Sequence, residues 1–189
     1  MNVLLIDTSA RLVAVQILGD KQVLAVDEGK TGSTSSRIMP TIESALSQAG
    51  LSVKDLDVVA AISGPGSFTG LRIGVSVANG LAFGLGCKRL PVPLLAAIRE
   101  GAPLAAIPSR NGFSYTLGAE YAELSVEDVA EQESVGTQGS GAKIVLSQEE
   151  VFARCARYVL SHLDEASERP IEPMYLKKCQ AEREREGKA

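Results

Sequence analysis

The segment that joins one apolar strand to a helix holds the residues best suited to binding a phosphate group. Residues 62–74 read ISGPGSFTGLRIG, and glycine-rich loops of this kind bind phosphates through backbone N–H groups at the start of a helix. A P-loop also needs a lysine that reaches the terminal phosphates and a hydroxyl that binds magnesium. Here Gly70 is followed by Leu71 and Arg72, so both side chains are missing. The spacing therefore argues against a P-loop.

A dinucleotide-binding fingerprint fits the same segment poorly. Gly64 and Gly66 have the spacing of its first two glycines, but Gly70 stands one residue too late to be the third. The acidic residue that would bind the ribose is also absent, because residues 58–99 contain no Asp or Glu. We therefore expect a structural role, in which Ser67 caps the following helix and glycine lets another backbone approach closely.

Small residues recur at every fourth position of that helix. They are Gly70, Gly74, Ala78 and Ala82. A glycine in a helix interior costs roughly 1 kcal/mol relative to alanine, so this helix needs packing to hold it. We predict that part of it is buried in its own lobe and that its small residues let a helix of a partner protein approach closely.

The elements around the glycine segment follow the order βββαβα. Short strands are predicted at residues 2–7, 11–18 and 21–27, and a helix that ends at Gly50 carries Pro40 in its first turn. A strand at 57–63 and a helix at 68–83 follow. This order fits one lobe of an actin-like ATPase, the ribonuclease-H-like half of that α/β fold. We predict two lobes, each with a mixed β-sheet flanked by helices.

The second half of the chain has weaker signals. The first lobe is assigned to residues 1–100 and a smaller second lobe to 101–189. A strand at 88–92 and a short helix at 94–100 complete the first lobe. In the second lobe, strands are predicted at 104–108, 112–118, 121–126 and 142–146, with an acidic and then Gly/Ser-rich loop at 127–141. Ser147 is predicted to cap a helix that runs to about Leu163, and residues 183–188 form a solvated, flexible tail.

Asp7, Thr8 and Ser9 form a second candidate for contact with a phosphate. They follow the first predicted strand, where actin-like ATPases place a hairpin that faces the nucleotide. Asp and Ser are also common turn residues, so a turn that binds nothing is the alternative. We treat the three as vestigial cofactor-binding residues.

Metal and nucleophile sites are hard to build from this composition. His162 is the only histidine, and its expected role is an interaction with the end of its own helix. Cys87, Cys155 and Cys179 are widely spaced and odd in number, which is typical of a reducing compartment. We predict no catalytic residue and no metal ligand.

Charge and composition favour a soluble cytoplasmic protein. The net charge is −4, the pI is about 5.2 and tryptophan is absent, which argues against direct binding to nucleic acid. No charged leader precedes the first apolar run, and the uncharged stretch 73–87 is shorter than the roughly 20 residues of a membrane span.

Three motifs resemble the bacterial TsaB (YeaZ) family, inactive paralogues of the threonylcarbamoyl transferase TsaD. They are LIDTS at residues 5–9, GPGSFTGLRIG at 64–74 and PMYLK at 173–177. The resemblance is close over about the first 100 residues and thin from there to Lys177. It implies an actin-like fold with a degenerate active site, in the pathway that adds threonylcarbamoyl to the adenosine beside the anticodon of tRNA.

The resemblance also implies partners and an interface. Proteins similar to this one bind a TsaD-like transferase through the helices of the first lobe, recruit a TsaE-like ATPase as a pair, and form homodimers when alone. They touch tRNA only indirectly, and ATP is expected only within the complex. The interface would involve Ile38, Met39, Ile42, Leu46, Leu71, Gly74, Val75 and Ala78.

The chain differs from the family pattern at two positions. Thr34 stands where the family often has a histidine, and Pro108-Ser109-Arg110 where it has an aspartate. The second lobe also looks shortened between Tyr121 and Ala142. The alternative function is a small actin-like ATPase or phosphotransferase that uses Asp7 and Thr8; a protease would lack a nucleophile and a metal site.

Overall fold

Two five-stranded sheets form the framework of the chain. The computed structural model describes residues 1–10, 12–19, 22–27 and 32–176, with the backbone alone at 23, 24 and 27. Predicted features at Arg11, Lys21, Lys177, Cys179 and residues 183–188 lie outside the described residues.

The first sheet has the strand order β3-β2-β1-β4-β5. Its strands are β1 (Val3–Asp7), β2 (Val13–Leu18), β3 (Val23–Asp27), β4 (Val58–Gly64) and β5 (Lys88–Pro93). The first three form an antiparallel meander, whereas β4 pairs parallel with both β1 and β5. The strands β1, β2 and β4 are buried along their whole length, as expected for continuous apolar runs covered on both faces. The predicted meander and apolar strand are confirmed.

Three helices follow the strands of this lobe, namely α1 (Thr34–Ala49), α2 (Phe68–Leu85) and α3 (Leu94–Arg99). The Ser67 hydroxyl accepts a hydrogen bond from the Gly70 N–H at 3.3 Å, which confirms the predicted N-cap of α2. Gly50 ends α1 in the left-handed conformation, also as predicted. Pro40 lies in the second turn of α1, so its predicted place in the first turn is wrong. The exposed position of Pro40 lets water bond the Ser36 carbonyl that the proline leaves without an N–H.

The second sheet repeats the arrangement of the first. Its strands are β6 (Leu104–Pro108), β7 (Phe113–Leu117), β8 (Tyr121–Ser125), β9 (Ser134–Gly136) and β10 (Ile144–Val145), in the order β10-β9-β6-β7-β8. The β6-β7-β8 meander is antiparallel, and β9 pairs parallel with β6 and β10. Two helices complete it, α4 (Val126–Ala130) and α5 (Gln148–Ser161).

The second sheet lacks a counterpart of α2. The parallel strands β4 and β5 are joined by that helix, whereas β9 and β10 are joined by residues 137–143 alone. The strand β9 and all of α4 except Val126 fall inside the segment 127–141 that the sequence predicted to be a loop, so that part of the prediction is wrong. Their short length leaves too little periodicity to detect.

The helix α3 connects the two sheets. It contacts β4 and β5 of the first sheet and β6, β7 and β9 of the second. Leu95 and Ile98 of α3 are fully buried in a core that also holds Leu5 of β1, Ala105 of β6 and Val159 of α5. A second core lies between α1, α2 and the other face of the first sheet. The two lobes therefore share one apolar core across α3.

The residues after α5 return to the first lobe. Ser167 pairs with Arg89 of β5, and Ile171 is buried in the core beneath α1 and α2. The Met174 N–H donates to the Ser63 carbonyl at 2.7 Å. The division near residue 100 separates the two sheets, but residues 166–176 lie on the first lobe rather than on the second, where the sequence placed them.

By length and composition alone, α2 could cross a membrane. Core helices of soluble proteins meet the same criterion. The helix α2 packs against β1 and β4 and buries its own residues Leu71, Val75 and Ala78 there. That packing accounts for the apolar residues on the inner side of this helix.

Leu95→Ala is expected to destabilise the whole chain, because Leu95 is fully buried in the core that both sheets share. A large-to-small change at such a site costs about 2–5 kcal/mol of unfolding free energy. Leu160→Ala on α5 is the matched control, since Leu160 is 43% exposed. Urea unfolding measures both; equal effects of the two changes would contradict the shared core.

Candidate functional site

The glycine loop packs against the turn that follows β1. The Ser67 N–H donates to the Ser9 carbonyl at 2.7 Å, and the Thr8 hydroxyl donates to the Gly70 carbonyl at 2.8 Å. A Cβ added at Gly66 would lie 2.7 Å from the Ser9 carbonyl oxygen. The Ser67 N–H, one of the donors that a phosphate cradle would offer to a ligand, is therefore bonded to the chain itself.

Gly70 and Gly74, in the first and second turns of α2, also lie against the turn that follows β1. A Cβ at Gly70 would overlap the Thr8 carbonyl oxygen, and one at Gly74 would overlap the Thr8 hydroxyl. The backbone that these glycines admit is that of residues 8 and 9 of the same chain. The prediction that Gly70 and Gly74 admit a partner helix is wrong, whereas the close approach itself is confirmed.

Asp7, Thr8 and Ser9 come together as a buried turn. One carboxylate oxygen of Asp7 accepts hydrogen bonds from the Ser9 N–H at 2.8 Å and the Ser9 hydroxyl at 2.7 Å. Burial raises the pKa of Asp7 above its ordinary value, and the two bonds from Ser9 oppose this rise. The polar atoms of these predicted cofactor-binding residues thus bond to one another and to α2.

Residues 166–176, the C-terminal strap, cover the loop from the other side. The side-chain amide of Asn79 on α2 donates to the Ile171 carbonyl and accepts from the Ile171 N–H, both at 2.9 Å. Arg89 donates to the Glu168 carbonyl at 2.8 Å. A Cβ added at Gly64, which has a φ of +138°, would meet the Met174 backbone. The carboxyl end of β4, where ligands bind in many parallel sheets, is therefore occupied by the chain itself.

The strap ends on an aromatic cluster at the start of α2. The rings of Tyr175 and Phe68 lie 4.7 Å apart, and the Arg72 guanidinium lies 4.1 Å from the centre of the Phe68 ring. Arg72 also donates through Nε to the Tyr175 hydroxyl at 3.1 Å. The two motifs PMYLK (173–177) and GPGSFTGLRIG (64–74) thus pack against each other. For the first motif this is described as far as Leu176.

The predicted partner interface lies almost entirely inside the first lobe. Seven of its eight residues are buried in the described structure, and Met39 alone is exposed, at 40%. The buried ones are Ile38, Ile42, Leu46, Leu71, Gly74, Val75 and Ala78. As a surface this set is therefore wrong, because the apolar stripes of α1 and α2 at helical spacing face the sheet.

The outward side of α2 carries different residues. Phe83 is 83% exposed, the largest exposure among the large apolar side chains described. A Cβ added at Gly80 or Gly84 would meet no atom within 4 Å among the described residues. Neither glycine is required by the fold of this chain, although each weakens the helix. We call the outward residues Thr69, Arg72, Ile73, Ser76, Gly80, Phe83 and Gly84 the α2 outer face.

Sequence reasoning missed this face, although its spacing was visible. Thr69, Ile73, Ser76, Gly80 and Phe83 alternate by four and three residues, which places them along one line of a helix. The stronger apolar signal of the buried face obscured them. The four-residue spacing belongs to residues on the inner, buried side of the helix, namely Gly70, Gly74, Ala78 and Ala82.

His162 and the cysteines have structural settings. The Nδ1 of His162 lies 2.7 Å from the Tyr158 carbonyl at the end of α5, and its ring stacks on that of Tyr158, which confirms the interaction predicted there. Burial raises the pKa of both the Cys155 and Cys87 thiols. Among the described residues, no three His, Cys, Asp or Glu side chains are grouped as metal ligands.

A groove elsewhere on the chain is lined by none of the residues of the glycine loop. It has a volume of about 520 Å³ and lies between α3 and α5 beside Arg157 and His162. Arg157 donates to Glu100 at 2.6 Å and to Glu150 at 2.9 Å, so its charge is already paired. Arg99 also lines the groove, where its guanidinium donates to the Ala102 and Gly118 carbonyls.

The fold and the site define a class before any relative is considered. Two mixed sheets of the same strand order, flanked by helices, form the α/β fold of the actin-like class. The family model for tRNA N6-adenosine threonylcarbamoyltransferase (TsaD) matches residues 32–110, which include α1 and α2.

Similar proteins narrow this class. The chain is 36% identical over 129 residues to the tRNA threonylcarbamoyladenosine biosynthesis protein TsaB of Escherichia coli K12, which covers 64% of this chain and 55% of that protein. It is 30% identical over 142 residues to TsaB of Bacillus subtilis 168, covering 71% and 62%. The structure of YeaZ from Pseudomonas aeruginosa superposes with a TM-score of 0.68 at 25% identity, covering 93% of this chain and 99% of that one.

The chain belongs to the TsaB (YeaZ) family. Its matches span 55% and 62% of the length of the two curated relatives described above.

Gly74→Ala and Gly80→Ala are expected to change stability in opposite directions. The first places a methyl group against the Thr8 hydroxyl and should cost about 1–3 kcal/mol. The second adds a methyl group in open space and should stabilise the helix by about 0.5–1 kcal/mol. Thermal and urea unfolding measure both changes. Thr8→Ala should recover part of the loss caused by Gly74→Ala; a tolerated Gly74→Ala alone would contradict the contact.

Asp7→Asn is expected to stabilise the chain at about pH 7 and to lose this advantage toward about pH 4. A carboxyl group whose pKa is raised by folding stabilises the fold below its ordinary pKa of 3.8, and this contribution is lost as the pH rises through the folded pKa. Asparagine keeps an oxygen for the bonds from Ser9 and carries no charge. Urea unfolding at both pH values, with the exposed Glu43→Gln as control, measures the difference. A less stable Asp7→Asn at pH 7 would mean that the ionised carboxylate supports the turn.

Proposed function

We propose that this chain is a non-catalytic subunit that binds a TsaD-like threonylcarbamoyl transferase through the α2 outer face. In this role it supports the modification of adenosine beside the anticodon of tRNA, in the cytoplasm. The observation that carries the proposal is the exposure of Gly80, Phe83 and Gly84 on a helix whose other side is fully packed.

The two outward glycines favour a contact between helices. Each costs roughly 1 kcal/mol of helix stability without any benefit to the isolated chain. A helix of a partner gains from them, because the absence of a side chain lets its backbone approach closely. Phe83, one turn away, supplies the large aromatic anchor that interface centres typically contain.

The spacing of the outer face supports an elongated helix pair. Thr69, Ile73, Ser76, Gly80 and Phe83 follow the four-three alternation of a coiled-coil seam. The seam extends over most of α2, from its first turn to its last. Met39 of α1, 40% exposed, adds apolar surface on the neighbouring helix of the same lobe.

The family match supports a transferase of related fold as the occupant. The TsaD family model matches residues 32–110, so a TsaD-type protein has counterparts of α1 and α2. Two related lobes can join through equivalent helices about an approximate two-fold axis, as subunits of symmetric dimers do. A second copy of the chain would use the same face when no transferase is present, and a TsaE-like ATPase would bind the pair.

The closed site after β1 supports a non-catalytic role. Asp7 is buried with its bonds directed to Ser9, and Thr8 bonds to the Gly70 carbonyl. The strap covers the end of β4 next to it. The residues that actin-like enzymes use for nucleotide contact are therefore engaged in holding the chain together, and ATP would bind only where a partner contributes to the site.

Phe83→Glu and Gly80→Leu are expected to weaken binding to the cognate TsaD-type transferase by at least about tenfold, because both obstruct the helix seam. Neither position contacts the core, so neither change should lower the thermal unfolding temperature, and Gly80→Leu should raise it slightly because it removes a helix glycine. Leu160→Glu on α5, also at an exposed position, is the control. Calorimetry measures binding, and the threonylcarbamoyladenosine content of tRNA in a complemented strain measures function.

Two results would contradict the proposed function. Normal transferase binding by both outer-face variants would place the interface elsewhere. Binding of ATP and magnesium to the chain alone, abolished by Asp7→Ala, would favour the ATPase or phosphotransferase instead. Val75→Arg is unsuitable as a test of the interface, because Val75 is buried and the change would report on folding.

A further inference from the structure

We propose that Arg72 is the charged anchor of the α2 outer face and that the partner transferase presents a carboxylate to it. This inference rests on the proposed function and names the chemistry that the partner must supply. Arg72 lies one turn before Ser76 on the same side of α2 as Gly80 and Phe83. It would therefore contact any protein seated along the seam.

The Arg72 side chain is held in place before a partner arrives. Its guanidinium lies over the Phe68 ring at 4.1 Å and near the Tyr175 ring at 5.9 Å, and both aromatic faces attract a cation. The bond from Nε to the Tyr175 hydroxyl, at 3.1 Å, fixes the rotation of the planar group. An arginine fixed in this way loses little conformational freedom when it binds.

The two terminal nitrogens of Arg72 have no acceptor among the described residues, and Arg72 makes no ion pair there. Three other arginines of the chain are engaged: Arg154 and Arg157 pair with Glu100 and Glu150, and Arg89 donates to the Glu168 carbonyl. No Asp or Glu occurs in residues 58–99, so the surroundings of Arg72 along the chain offer no carboxylate. The outward N–H groups match the paired oxygens of a carboxylate.

A protein carboxylate fits this setting better than RNA phosphate does. Arg72 is the only charged residue of α2, and its neighbours on the outer face are uncharged. A surface that follows a nucleic acid backbone needs several cations in a row, because each phosphate contact contributes separately. The net charge of −4 also opposes a nucleic acid partner.

A different protein fits better than a second copy of this chain. On the two outward helices, α1 and α2, a second copy carries only one carboxylate, Glu43. A partner with a carboxylate opposite Arg72 would form an ion pair with it. A homodimer would lack this ion pair unless Glu43 of the second copy reached Arg72. This difference would favour the mixed complex over self-association.

The test measures affinity for the cognate TsaD-type transferase, without RNA, by calorimetry at low and high salt. Arg72→Ala and Arg72→Glu are expected to weaken binding by at least about tenfold, and Arg72→Lys by less, because lysine keeps the charge but not the planar fork. The wild-type advantage should shrink at high salt. Arg110→Glu is the matched control, since Arg110 is exposed in the turn between β6 and β7. Circular dichroism checks that each variant is folded. If Arg72→Ala or Arg72→Glu does not fold, the affinity of Arg72→Lys is compared with that of the wild type instead.

Several outcomes would overturn this inference. If Phe83→Glu prevents binding while Arg72→Glu binds like wild type, the charged anchor is wrong and the proposed function stands. If neither change affects binding, the proposed function fails as well. An intact protein complex that loses only its retention of tRNA in Arg72→Glu would assign Arg72 to RNA. Self-association that is lost in Arg72→Glu and restored by adding Glu43→Lys would assign the carboxylate to a second copy.

Discussion

The contact between the Thr8–Ser9 turn and the start of α2 constrains the rest of the first lobe. Three glycines, Gly66, Gly70 and Gly74, have no room for a Cβ because the backbone or hydroxyl of residues 8 and 9 occupies it. This contact ties the end of β1 to the loop after β4, and the strap closes the other side. The same glycines that resemble a phosphate cradle therefore admit residues 8 and 9 of the chain, and the Ser67 N–H donates to the Ser9 carbonyl. While it makes this bond, the Ser67 N–H is not available to a nucleotide phosphate.

The two sheets repeat one strand order, but their connecting helices differ in length. Both sheets place two parallel strands beside an antiparallel meander, yet only the first has a long helix between those strands. The second uses residues 137–143 for the same connection, and its edge strand β10 leaves Ile144 and Val145 exposed. The long outward helices α1 and α2 are thus confined to the first lobe. Since α3 joins both sheets in one core, the reduced second lobe still supports the first.

The sequence predicted the framework well where periodicity and caps agreed. The meander, the strand before the glycine loop, and the ends of α1 and α2 at Gly50 and Ser67 all follow from local chemistry. The sequence did not predict α4 and β9, because elements of so few residues show no measurable hydrophobic periodicity. It also assigned the buried faces of α1 and α2 to a partner, because burial against one's own sheet and burial against another protein give the same pattern. Exposure of Gly80 and Phe83 could be decided only once the position of α2 on the sheet was known.

The inner glycines of α2 fit the Thr8–Ser9 turn, and the outer ones border open space, where we propose that a partner binds. The most direct test replaces Phe83 with a photoreactive phenylalanine analogue, and separately Leu160, and irradiates the complex with the cognate TsaD-type transferase. The account predicts cross-linking to the transferase from position 83 and none from position 160. A complex that forms normally but cross-links only from position 160, or from neither, would contradict it.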